Sequence, residues 1–273
     1  MPGKCTIQRL NGDCSAILAI NRFKILLDPW LVNSEVDGST LFNEAWHIEP
    51  VVNIEAVNEM DIDVVCVSLP FADHCHEETL SVLNPNIPIL CNQDTATILR
   101  KRGFDDGNRV ILVIPQYPSF FDPMFESSST SFSYLAPHGL FDFTHGGIII
   151  KTKISRRRQE HVLWAPHGIK LDDNHPFRHQ LMESQWSMIA TTFSAYRLPL
   201  ILGGTINLGL EEGIDLVKQL NPRVVIDIHS ERKASRGLVP LIAKSTYPSD
   251  DEKSKALGKV YVACNGLDPV ELL

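Results

Sequence analysis

The chain of 273 residues is poor in cysteine, in basic charge and in long apolar runs, and each shortage narrows what it can be. Its six cysteines, Cys5, Cys14, Cys66, Cys75, Cys91 and Cys264, show no CxxC spacing. That excludes a zinc-ribbon or dithiol motif, and they read as reduced thiols set mostly in strands. No window approaches 18 uninterrupted apolar residues, so no membrane span is expected. The N-terminus lacks a charged stretch followed by an apolar one; no export signal is expected, and the location implied is cytoplasmic. Lysine and arginine total 25 against 33 acidic residues, a net charge of -8 that disfavours nucleic acid, because a polyanion is held by clustered cations. The one basic run, Arg156-Arg157-Arg158, falls between two strand-like segments and is expected at a hairpin tip. Gly203, Gly204 and Gly209 do not form GxGxxG, and neither GxxxxGK nor GxSxG occurs. A dinucleotide site, a P-loop and a serine-hydrolase elbow are therefore disfavoured.

What is present is a globular composition, 44% hydrophobic and 21% charged, long enough to bury a full core. Thr6 to Ile20 and Arg22 to Leu31 read as two strands joined at Asn21, the second stopped by Pro29. Residues 33 to 60 are polar and irregular and read as a surface excursion. Asp63 to Leu69 is a nearly continuous apolar strand of the kind buried on both faces, and a helix follows from Glu77 to Leu83. Ile87 to Cys91, Asp94 to Arg102 and Arg109 to Ile114 continue as strand, helix and strand, a βαβ rhythm of layered α/β proteins. Ser131 to Leu135, Gly147 to Ile154 and His161 to Trp164 read as antiparallel strands. Gln180 to Tyr196 and Leu210 to Leu220 read as helices, and Val224 to Ile228 as a last buried strand. The polar segment 245–258 is expected to be mobile. No internal repeat interrupts residues 1–273, which read as one domain built of two βα-rich halves.

Asp28, Asp73-His74-Cys75-His76, His167 and His229 all lie just after an apolar strand. Strand ends facing a crevice are where α/β proteins place ligands, since loops converge there while the sheet stays rigid. Taken singly, an Asp before Pro is a turn former and a His at a strand end is a hydrogen-bonded cap. Four such ends in one chain point instead to a shared polar site. Cys75 between two imidazoles is conceivable as a thiolate nucleophile, against the plainer reading of a small side chain packed in a turn.

The order of these segments carries a resemblance. Leu10 to Leu18 followed by Lys24 to Leu31 resembles the opening hairpin of metallo-β-lactamase-fold proteins, most closely the branch of ascorbate-6-phosphate lactonase-like hydrolases. Asp28 matches that family's first conserved acid. Val67 to Leu80 falls where the family has Ser-His-x-His-x-Asp-His, Trp164 to Gly168 resembles the segment supplying the bridging Asp, and Leu202 to His229 the segment ending in the last His ligand. The resemblance implies an αββα sandwich of metallo-β-lactamase type, two mixed β-sheets flanked by helices. Departures limit the chemistry. Leu69 and Phe71 replace the two His that open the second motif, so the first metal site should be missing or weakened. His167 replaces the bridging acid, and His138 and His145 are candidates for the third-motif His without a convincing context.

What the resemblance leaves is one site: Asp73, His74, His167 and His229 around a single divalent metal, zinc first and iron or manganese as alternatives. Asp28 would orient a His tautomer through a hydrogen bond, and His76 is an extra candidate expected to face the other way. Asp73, His167 and Glu231 are the candidate catalytic groups, Glu231 as a proton shuttle. The expected activity is hydrolysis of a small ester, lactone or phosphoester. Two rivals stand beside it: a metal-free relative that binds a ligand or partner, and an isomerase, lyase or cyclase using the histidines for acid–base chemistry. No nucleic-acid or membrane partner is expected, and the sequence leaves the oligomeric state open.

Overall fold

In the computed structural model the described residues are 5–105, 107, 109–123, 129–139, 142–155, 158–263 and 267–272. A seven-stranded sheet runs in the order Val270–Glu271, Cys5–Arg9, Ala16–Ile20, Phe23–Leu27, Val64–Val67, Ile89–Cys91 and Ile111–Val113. A six-stranded sheet runs Tyr261–Val262, Val224–Asp227, Trp186–Thr191, Arg158–Ala165, Gly147–Ser155 and Thr130–Leu135. Both are mixed: hairpins give antiparallel pairs at one side, and crossovers give the parallel pairs that carry the polar strand ends.

The two sheets face each other across one apolar layer. Leu18, Ile25, Leu27 and Cys66 of the first meet Ile148, Trp164, Met188 and Ile226 of the second. Alternate residues point outward, as the period of two requires. Val65, Val67 and Ile89 pack beneath Leu80 of the helix Glu77–Val82 and Leu99 of the helix Gln93–Lys101. Ile149, Leu163 and Ile189 pack beneath Leu216 and Leu220 of the helix Leu210–Leu220. The result is the expected αββα layering. Each buried leucine or isoleucine here contributes roughly 1.5–3 kcal/mol. Among the described residues no helix is long and apolar enough to cross a membrane.

Three expectations need correction. Thr6 to Ile20 is not one strand: Leu10–Ser15 forms a buried loop between two, and Leu10 N–H donates to the Ser15 carbonyl at 2.8 Å. The excursion 33–60 contains the strands Glu35–Asp37 and Asn43–Trp46 and the helix Ile54–Asn58. Gln180 to Tyr196 is not one helix. The helix Arg178–Glu183 stops where Ser184 turns extended, and Trp186–Thr191 is a fully buried strand between two parallel neighbours. Burial on both faces removes the alternation that marks a strand in sequence. Segment 245–258 contains the helix Asp250–Leu257, opened by a Ser249–Glu252 capping box, with Lys253 Nζ 2.7 Å from Asp227 Oδ2. Val224–Asp227 is the last buried strand among the described residues, and the half-buried Tyr261–Val262 pairs beside it. Arg156, Arg157 and Cys264 lie outside the described residues; the strands that flank the arginines pair as a hairpin.

Candidate metal centre

Three parallel strand ends deliver the candidate ligands. The loop after Val64–Val67 turns back on itself, with His74 and Cys75 N–H both donating to the Phe71 carbonyl at 3.0 and 2.7 Å, and so presents Asp73 and His74. His167 follows Arg158–Ala165 in a turn closed by Gly168, whose φ of +92° suits glycine and where a Cβ would meet Leu208 at 2.8 Å. His229 follows Val224–Asp227 at φ +59°, an unusual conformation for a side chain that is not glycine. It is held there by its N–H on the Asp13 carbonyl, 3.1 Å.

The three imidazoles form a near-equilateral triangle, with ring centroids 4.9 Å (His74–His167), 5.1 Å (His74–His229) and 4.7 Å (His167–His229) apart. Each directs Nδ1 at an acceptor: His74 at Asp28 Oδ2 (3.2 Å), His167 at the Ile206 carbonyl (3.1 Å), His229 at Asp13 Oδ1 (2.6 Å). A carbonyl or carboxylate oxygen accepts only, so Nδ1 carries the proton and Nε2 keeps a lone pair. The Nε2 atoms of His74 and His167 then stand 2.8 Å apart, while Asp73 Oδ1 lies 3.5 Å from His74 Nε2 and Oδ2 lies 3.6 Å from His229 Nε2. Ligands at about 2.0–2.1 Å around one tetrahedral ion stand roughly 3.3 Å from one another. These separations bracket that figure, so donors at these spacings suit a divalent metal. Among the described residues, the groups whose donors all lie within 4.8 Å of one another are Cys14 with His74 and His229, and Asp13 with Asp73 and His229. His74, His229 and Asp73 thus each belong to at least one, and His167 stands beside them.

Two lone pairs at 2.8 Å repel unless a cation lies between them, and without a metal the cation is a proton. Burial opposes charge on His74, yet Asp73 and Asp28 outweigh it and push its pKa up to about 9. Burial, with His229 and His74 beside it, holds His167 well below the usual histidine range. His74 is therefore the proton donor of the pair and His167 the acceptor. Asp73 is half-buried, and His74 and Lys233 keep its carboxyl well below the usual carboxylate range against the desolvation that opposes its charge.

Of the other expected residues, Asp28 does face the cluster from behind. Its carboxylate accepts from Ser68 N–H (2.7 Å), Ser68 Oγ (2.6 Å) and Trp164 Nε1 (2.7 Å) as well as His74. His76 points away: it caps the helix Glu77–Val82, where Nδ1 accepts from Thr79 N–H and Nε2 meets the Ser34 carbonyl at 3.2 Å. Glu231 is engaged elsewhere, with Oε2 2.6 Å from His47 Nδ1 and Oε1 accepting from Ile48 and Glu49 N–H at 3.0 and 3.1 Å. His145 is buried, paired through Nδ1 with Asp142 at 2.8 Å, while His138 stacks edge-on against His175. Cys75 is buried in apolar surroundings that push its thiol up to about 12, so it is no thiolate at neutral pH.

The sequence reading missed Asp13 and Lys233. Asp13 sits in a loop read as strand, although Asn11-Gly12-Asp13 is a turn-forming cluster. Lys233 sends Nζ to within 2.9 Å of Asp13 Oδ2 and 3.1 Å of Asp73 Oδ2, over the Trp30 ring at 4.9 Å, and no motif announces it. The cluster opens into a cavity of about 340 Å³ whose walls include Phe71, Tyr196, Tyr247 and Ile206.

No protein-family model matches the sequence, and no curated protein matches it either. Solved structures do. A "possible metal-dependent hydrolase" from Veillonella parvula superposes with a TM-score of 0.68 at 13% identity, over 100% of both chains. A metallo hydrolase from the hyperthermophilic archaeon Ignicoccus hospitalis gives 0.66 at 13% identity, over 98% of this chain and 99% of that one. An isothiocyanate hydrolase from Delia radicum gut bacteria gives 0.67 at 15% identity, over 97% and 98%. At such identities the likeness is one of fold: this chain has the αββα sandwich of metallo-β-lactamase type.

Proposed function

We propose that this chain is a metal-dependent hydrolase acting through one divalent ion, which Asp73, His74, His167 and His229 would hold. The observation that carries the reading is the outward engagement of all three Nδ1 atoms by Asp28, the Ile206 carbonyl and Asp13, which leaves three Nε2 lone pairs turned inward beside one carboxylate. Such an ion, when bound, supplies Lewis-acid polarisation and lets water attack near neutral pH. Asp73 remains ionised and can accept a proton as well as bind. His167 stays neutral, and Lys233 offsets the charge of Asp13 and Asp73. Glu231 acts as an anchor for residues 47–49 in this reading, not as a proton shuttle. Leu69 and Phe71 offer no lone pair, which keeps the site to one metal. The resemblance to lactonase-like hydrolases supports an ester, lactone or phosphoester as the bond cleaved, with zinc as the first metal to test and iron or manganese next.

The test is elemental analysis of untagged protein beside His229→Ala. About one equivalent of metal, lost in the variant, is the expected result; no metal in either protein, even after zinc loading, would overturn the reading. A second reading, acid–base turnover without metal, is favoured by the donor–acceptor pair of His74 and His167 at 2.8 Å. Turnover that survives chelation would select it.

A further inference from the structure

The cavity in front of the metal centre has an acidic wall that the proposed hydrolysis does not use. Glu35 and Asp37 lie on the short strand Glu35–Asp37 and both line the cavity. One side-chain amide ties them together: Asn43 Nδ2 donates to Glu35 Oε1 at 3.2 Å and to Asp37 Oδ2 at 3.1 Å. The Ala72 N–H beside Asp73 faces Asp37 and favours its charged form, so this wall adjoins the metal-centre loop. Glu35 is only 3% exposed, and its second oxygen, Oε2, has no hydrogen-bond partner among the described residues. A buried acceptor without a partner is costly to the fold, and such a group inside a cavity is one a ligand can satisfy.

The nearby cation does not meet this need, since the Lys233 ammonium is held by Asp13 and Asp73 at 2.9 and 3.1 Å. Aromatic side chains, Phe42, Phe71, Tyr196 and Tyr247, share the lining with polar groups that include Lys233 and the residues of the candidate centre. Aromatic faces attract a desolvated cation and carboxylates pair with it, whereas an anion would meet repulsion on the same wall. Burial, with Asp73 and Asp37 close by, pushes Glu35 up to about 9, and burial and Asp73 raise Asp37 as well. Carboxyls crowded to that degree are relieved when a positive charge arrives among them.

We infer that Glu35 and Asp37 form a subsite for a protonated amine, so that the substrate is a small aminated molecule with an apolar body and its scissile bond turned towards His167. The inference rests on this cavity being the substrate chamber of the proposed hydrolase, while the subsite itself is built without any metal ligand.

Benzylamine, benzyl alcohol and benzoate share a ring that the cavity can take and differ in the charge of one substituent. Calorimetry on zinc-loaded and on chelator-treated protein compares the three, for the wild type and for Glu35→Gln, Asp37→Asn and the double variant, each checked for folding by thermal melt and for metal by elemental analysis. Benzylamine is expected to bind at least tenfold more tightly than the other two. The double variant, and whichever single variants fold, are expected to lose that preference with metal content unchanged. Absence of a preference for benzylamine in the wild type, including no binding of any probe, or its persistence in a folded double variant, overturns the subsite. A protein that takes no metal yet prefers benzylamine defeats the hydrolase reading and leaves the subsite standing.

Discussion

The Lys233 ammonium lies 2.9 Å from Asp13 Oδ2, and Asp13 in turn holds His229 through its other oxygen at 2.6 Å. One lysine from a late loop thus secures the carboxylate that orients a candidate ligand. Lys233→Met strips the cation from the buried Asp13 and the half-buried Asp73. Removing one partner of a buried pair leaves the other charge uncompensated. Metal-free Lys233→Met is expected to lose about 3 kcal/mol of stability, with part regained on adding zinc. Urea titrations with chelator and with zinc would show it; an unchanged metal-free midpoint would mean that the pair contributes nothing.

Asp28 touches no ion in the proposed site, yet it sets the tautomer of His74. Asp28→Asn is expected to weaken zinc affinity by about 10–100-fold, the range for groups that orient a metal-bound histidine. Competition against a chromophoric chelator measures the affinity, and a melt of the metal-free protein separates it from loss of fold. Equal affinity in a folded variant would remove Asp28 from the site.

The metal-free protein is expected to lose stability between pH 6.5 and 9. His74 rises from 6.5 to about 9 and Glu35 from 4.5 to about 9, so in this window the folded chain holds protons that the unfolded chain has released. The His74 contribution is complete below 6.5 and the Glu35 contribution below 4.5; both vanish as the pH passes 9. Melting temperatures in chelator at pH 6.5, 7.5 and 9 should fall in that order. Glu35→Gln should flatten the decline, and a rise with pH would contradict the arrangement.

Cys75 is buried with its thiol raised to about 12, and Cys14, 3.4 Å from His74 Nδ1, is also held protonated by burial and by Asp13. Neither should react with iodoacetamide at pH 8 in the native protein, while both should react in urea. Peptide mass spectrometry reads the two states. Native alkylation of Cys75 would revive the thiolate nucleophile.

Much of the framework was legible because its causes are local. Continuous apolar runs such as Val64–Val67 and the periodic helix Leu210–Leu220 declare themselves, and chain order alone put Asp73, His74, His167 and His229 at strand ends. The helix Asp250–Leu257 is so polar that it resembles a loop, and its anchoring contact, Lys253 to Asp227, spans 26 residues.

The sequence by itself determined the layered α/β fold and the chemistry available at the strand ends, because hydrophobic periodicity and side-chain identity belong to single segments. Only the tertiary structure decided that Asp13 supports His229 across 216 positions, that Lys233 joins them, and that Glu35 lines the same cavity. Hydrogen bonds and ion pairs act over about 3 Å in space, and the distance along the chain between their partners leaves no periodic trace.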